Sequence, residues 1–165
     1  MMRMIRDWGA AVAVGLAVFL LVDWLSAGAD RRGDPAPDFK LVNVAGGELQ
    51  LSNYVGRTVI LNFWGSWCAP CVQEIPEFAN WSADNPDVPI LGIAVRSGEG
   101  AKLARDAARL GVTWPVLESD DAVLDAYDVD VFPTTIVVGP DGTIKAAARG
   151  AIDGHGLDTL VAEAR

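Results

Sequence analysis

Both cysteines of the chain lie close together, in Trp67-Cys68-Ala69-Pro70-Cys71. Upstream runs Thr58-Val59-Ile60-Leu61-Asn62-Phe63-Trp64, β-branched and aromatic as a strand is. Downstream, Val72-Gln73-Glu74-Ile75-Pro76-Glu77-Phe78 opens a helical pattern. A Cys-x-x-Cys between a strand and a helix is the setting of thiol–disulfide redox chemistry. The helix start is the physical reason. Its first N–H groups lack intrahelical partners and its dipole is positive there, so a sulfur held at that end is favoured as thiolate. Cys68 is that sulfur. Cys71 falls one turn later on the same face, close enough to close a disulfide with it. A structural staple is the bland alternative, but so short a loop stabilises little.

The elements that must hold this pair read as follows. Phe39 to Val44 alternates as a strand, Ala45-Gly46-Gly47 turns it, and Glu48-Leu49-Gln50 returns. Leu51 to Tyr54 forms one helical turn, and Thr58 to Phe63 the strand before the cysteines. The helix after Cys71 reaches about Ser82, with Pro76 expected to kink it. Ile90 to Val95, continuously apolar, is a strand buried on both faces. Ala101 to Leu110 is a helix stopped by Gly111, Val112 to Leu117 an edge strand, and Asp120 to Tyr127 a short helix. Pro133 precedes the strand ending at Val138 and suits an edge entry. Pro140-Asp141-Gly142 turns into Thr143 to Arg149, and Leu157 to Ala164 closes the chain as a helix. This order predicts a central mixed sheet with helices on both faces.

The 165 residues suffice for one domain plus an appended segment. A net charge of −9 argues against nucleic-acid binding. A single histidine, His155, leaves at most three soft ligands with Cys68 and Cys71, one short of a closed zinc site, and no metal is expected. Trp8 to Ala29 is apolar apart from Asp23, follows Arg3 and Arg6, and is bounded by Trp8 and Trp24. Its length suits a bilayer span with interfacial aromatics. Ala27-Gly28-Ala29 keeps a cleaved signal peptide open as the other reading. Residues 1–29 are thus expected to be an anchor or signal peptide, 30–38 a Pro-stiffened linker, and 39–165 the folded domain.

The chain resembles the thioredoxin fold, and specifically the membrane-tethered TlpA/ResA-like thiol–disulfide oxidoreductases. The resemblance rests on Ala36-Pro37-Asp38-Phe39, on Leu61 to Cys71, on Glu74-Ile75-Pro76 and on Phe132-Pro133-Thr134-Thr135. It implies an α/β thioredoxin-like three-layer fold with an N-terminal hairpin extension and a transmembrane helix before it. It implies dithiol exchange through Cys68 and Cys71 and no bound cofactor. Pro133 would be cis and lie against the cysteines, with Phe132 and Trp67 offering contacts to a substrate peptide. Asn62 stands where thioredoxin has a buried acid, and an amide cannot carry its proton. Glu74 shares a helix face with Cys71 and is the expected proton carrier, with a solvated surface role as the alternative.

The resemblance further implies an extracytoplasmic domain that reduces partner proteins, such as apocytochrome c or copper-site assembly proteins, fed by a membrane electron donor. A copper-delivery chaperone would need Cys-x-x-x-Cys, one residue longer than found. A peroxidase of the peroxiredoxin type would need Thr-x-x-Cys, where Gly65 stands here. Trp81 and Trp114 are expected to pack in the core, and His155 to lie in an exposed loop.

Overall fold

The computed structural model describes residues 31–164 together with Gly15, Leu16 and Val18. The chain divides into two units, Met1–Arg31 and Arg32–Arg165. In the first, Gly15, Leu16 and Val18 are helical and exposed; the rest of the expected anchor lies outside the described residues. Among the described residues no helix is long and apolar enough to cross a membrane.

The second unit is built on a five-stranded sheet. Its strands are β3 (Val59–Trp64), β4 (Ile90–Ala94), β5 (Val116–Glu118), β6 (Thr134–Val138) and β7 (Ile144–Arg149), in the order β5-β4-β3-β6-β7. β3, β4 and β5 run parallel, while β6 and β7 run antiparallel to their neighbours. The sheet is therefore mixed. β1 (Lys40–Val42) and β2 (Glu48–Gln50) form a separate hairpin, which reaches the β5 edge through a bridge from Asn43 to Leu117. Before it, Pro35 bridges to Thr143, just ahead of β7.

Side-chain alternation sorts the strands onto two cores. Ile60, Trp64, Ile90, Ala94, Val116, Val137 and Ala146 face one side. There they pack under α1 (Ala69–Asp84), α2 (Gly100–Leu110) and α4 (Gly154–Ala162). Leu61, Phe63, Leu91, Ile93, Leu117, Ile136 and Val138 face the other, covered by α3 (Asp121–Tyr127) and the N-terminal hairpin. The result is the expected three-layer, thioredoxin-like α/β architecture with helices on both faces.

Local chemistry sets the boundaries. Gly111 ends α2 at φ 86°, with its N–H returning to Ala107 and Ala108 carbonyls. Asp120 caps α3 by accepting from the Val123 N–H at 2.7 Å. Asp153 caps α4 in the same way, accepting from Gly156 N–H at 2.8 Å. That cap starts α4 at Gly154, three residues before the expected Leu157, and puts exposed His155 in a first helical turn rather than a loop. β6 is an interior strand, not the edge its preceding proline suggested. Pro133 sits just outside it, so no ladder donor is lost. β5 is confined to Val116–Glu118, beyond Pro115, and does take the edge. α1 continues through Pro76 to Asp84.

Candidate active site

α1 begins at the cysteines. Cys68 is its N-cap, with extended backbone, and its Sγ accepts from the Cys71 N–H at 3.3 Å. Pro70 occupies the first turn, where its missing N–H has no intrahelical partner to lose. The two cysteines form a disulfide, with Cα atoms 5.3 Å apart. Cys71 is fully buried, and Cys68 nearly so.

Trp67 lies beside them with 55% of its surface exposed. It is nonetheless held from three sides. Its Nε1 donates to the Val95 carbonyl at 2.9 Å. Its ring lies so close over Gly65 that a Cβ there would sit 2.6 Å from Nε1. Its edge meets Phe132, with ring centroids 5.7 Å apart. Buried Ser97 secures the same loop, accepting from Ser66 N–H at 2.9 Å and donating to Val95 O at 3.0 Å. A side chain fixed in this way has already lost the freedom that a contact would otherwise cost. The Phe132–Pro133 bond is cis, Pro133 is buried, and its carbonyl accepts from Gly150 N–H at 2.8 Å. Phe132 packs against the same core that contains Cys68 and Cys71.

One turn after Cys71 in α1 is a buried acid. Glu74 is only 3% exposed, so the surface alternative fails. Asn62 Nδ2 donates to Glu74 Oε1 at 2.9 Å, and Ile152 N–H reaches Oε2 at 3.4 Å. Burial raises the Glu74 pKa from 4.5 to about 7, against the lowering effect of those two donors. An acid of that pKa exchanges protons at neutral pH. Thr135 Oγ1, directly across the β3–β6 ladder, accepts from Asn62 Nδ2 at 3.5 Å.

Cys68, Cys71 and Glu74 thus lie within the first turns of α1 with Trp67 just before them, and Phe132, against Trp67, carries the cis bond to Pro133. Trp81 and Trp114 are core residues, as expected, and Trp64 is buried with them. Two features escaped sequence reading, the Asn62–Glu74 bond and the Ser97 latch. The first had a signal: Asn62 is the one polar residue in its strand, on the same side as Ile60 and Trp64. Among the described residues no cluster of three or more His, Cys, Asp or Glu is placed to hold a metal.

Comparison with known proteins agrees with this geometry. Residues 32–147 match the AhpC/TSA family. The thiol-disulfide oxidoreductase ResA of Bacillus subtilis is 37% identical over 138 residues, spanning 82% of this chain and 74% of the relative. The protein of the same name from Geobacillus kaustophilus is 38% identical over 122 residues, 73% of this chain and 70% of the relative. Among solved structures, a putative thiol:disulfide interchange protein DsbE from Chlorobium tepidum superposes with a TM-score of 0.73 at 25% identity, covering 81% of this chain and 96% of that one. The chain belongs to the AhpC/TSA family of the thioredoxin fold, and within it to the ResA-like thiol–disulfide oxidoreductases.

Proposed function

We propose that the protein reduces disulfides of partner proteins on the outer side of a membrane, with Cys68 as the attacking and Cys71 as the resolving thiol. In the first step the Cys68 thiolate attacks a substrate disulfide. A Cys68–substrate disulfide forms, and one substrate sulfur leaves as thiolate. Glu74 then takes the proton of Cys71, and the Cys71 thiolate attacks Cys68. The Cys68–Cys71 disulfide forms, and the second substrate sulfur leaves and is protonated. The substrate gains the two electrons that the protein loses. A membrane donor that re-reduces the pair completes the cycle.

The observation that carries this reading is the capping of α1 by the Cys68 sulfur next to exposed Trp67, whose ring meets half-buried Phe132. The helix start favours a thiolate leaving group or nucleophile at Cys68. Trp67 and Phe132 give a substrate peptide an apolar contact, and the chain around Pro133 gives it backbone to pair with. An anchor within residues 1–29, ahead of the unit that starts at Arg32, would tether the enzyme, with apocytochrome c or copper-site assembly proteins as the substrate class.

Trapping tests it. Cys71→Ser in the full chain should accumulate mixed disulfides through Cys68, recovered from the membrane fraction. Trapping by Cys68→Ser and not by Cys71→Ser would reverse the roles. A soluble product starting at Asp30 would remove the anchor.

A further inference from the structure

Buried carboxylates do not choose their own orientation; the donors around them do. Glu74 has a donor for each oxygen, Asn62 Nδ2 for Oε1 and the Ile152 N–H for Oε2. The two come from different elements, one from the centre of the sheet and one from the turn before α4. Asn62 is itself fixed: it is 1% exposed, and its amide also donates to Thr135 Oγ1. The register places Thr135 directly opposite Asn62, so β3 and β6 set this contact together.

We propose that Asn62 is a positioning residue for the exchange reaction: its amide holds one oxygen of Glu74 and favours the ionised form, so that the carboxylate accepts the proton of Cys71. The proposal rests on the reading of Glu74 as proton carrier given above. The balance is simple. The Cys71 S–H bond breaks, a Glu74 O–H bond forms, and the electron pair stays on sulfur for attack at Cys68. An amide suits this task where a second acid would not. It donates without titrating, and it adds no like charge that would hold Glu74 protonated.

The surroundings leave Asn62 as the side chain able to do this. Glu74 shares its helix with Cys71, which carries a thiol only once the disulfide is reduced, and with Glu77, which points toward Gly154. The turn into α4 brings Asp153, which is engaged in capping, and exposed His155. β3 and β6 present the neutral Asn62 and Thr135, and β7 the alanines Ala146 and Ala148. Burial and the two donors are the influences on Glu74, and of these Asn62 favours the charged form most.

The test separates the two thiol steps. Reduced full-length protein is mixed with 5,5′-dithiobis(2-nitrobenzoate). Attack by Cys68 releases one thionitrobenzoate, and attack by Cys71 on the resulting mixed disulfide releases the second. The rate of the second release, followed against pH, should rise through about pH 7 in the native sequence. Asn62→Leu should move that midpoint up by about one pH unit and leave the first release unchanged. Asn62→Asp should move it further, through like charge. In a Glu74→Gln background, Asn62→Leu should add no shift.

A folded Asn62→Leu variant with the native midpoint overturns the proposal, even if it melts earlier, because a purely structural role predicts that result. A native profile in Glu74→Gln alone instead removes the reading of Glu74 on which the proposal rests. Where Asn62→Leu does not fold, Thr135→Val frees the amide at nearly constant volume. It should shift the midpoint upward by a smaller amount, and no shift there also overturns the proposal.

Discussion

The two faces of the sheet are built to opposite rules. The face under α3 and the hairpin is an ordinary apolar core of Leu, Ile, Val and Phe, finished by Tyr127 packed against Phe39 and Phe63. Even the Tyr127 hydroxyl has a partner, the Pro37 carbonyl at 2.7 Å. The face under α1, α2 and α4 holds the disulfide, an ionisable acid, Asn62 and Thr135. It also buries two indole N–H groups, of Trp64 and Trp114, with no hydrogen-bond partner among the described residues. Unpaired donors and a buried acid each cost stability. One face stabilises the fold, while the other holds the redox pair at some cost in stability.

The largest effect that sharpens this contrast is expected on the plain face. Phe63→Ala should lower stability by about 3–5 kcal/mol in denaturant unfolding, since Phe63 is fully buried. A loss well below that would deny the plain face its stabilising part.

The chemical face should respond with the opposite sign, through pH. Glu74 has a pKa of about 7 in the fold against an ordinary 4.5. Below 4.5 the carboxyl is protonated in both states. Between 4.5 and 7 the folded state keeps a proton that the unfolded state has lost, so stability falls as pH rises. Above 7 both are ionised and the loss is complete, about 3 kcal/mol. Glu74→Gln should therefore gain on the native protein between pH 5 and pH 8 by about that amount. Parallel curves for the two proteins would break the contrast.

A smaller effect is expected at Gly92, on the chemical face. A Cβ there would lie 2.7 Å from Trp114 Nε1 and 3.1 Å from Trp64 Nε1. Gly92→Ala should cost about 1–3 kcal/mol in thermal or chemical unfolding, as overpacking does. The smallest stability effect belongs to Trp67→Ala, under about 1 kcal/mol for a largely exposed ring. Its consequence should appear in exchange instead, slowing reduction of a protein disulfide more than of a small aromatic disulfide.

Much of this was legible in the sequence. The strands and helices followed from period and from Gly, Pro and Asp punctuation, because each of those signals acts within a few residues. The pair Cys68–Cys71 and its place at a helix start were legible for the same reason. Glu74 was legible as a neighbour of Cys71, but not as a buried group. Its burial needs Ile152, far along the chain, to close over it. The pinning of Trp67 likewise needs Val95 and Phe132 from other strands' ends. The interior position of β6 was misread because a proline before a strand marks an edge only when it falls inside the ladder.

As proposed above, the Cys68–Cys71 pair donates electrons to partner disulfides. Its reduction potential tests that most directly, measured by equilibrating the full chain with glutathione or dithiothreitol buffers. A value near that of thioredoxin, about −270 mV, is expected. A value near that of a strong periplasmic oxidant, about −120 mV, would contradict it and make the protein a donor of disulfides.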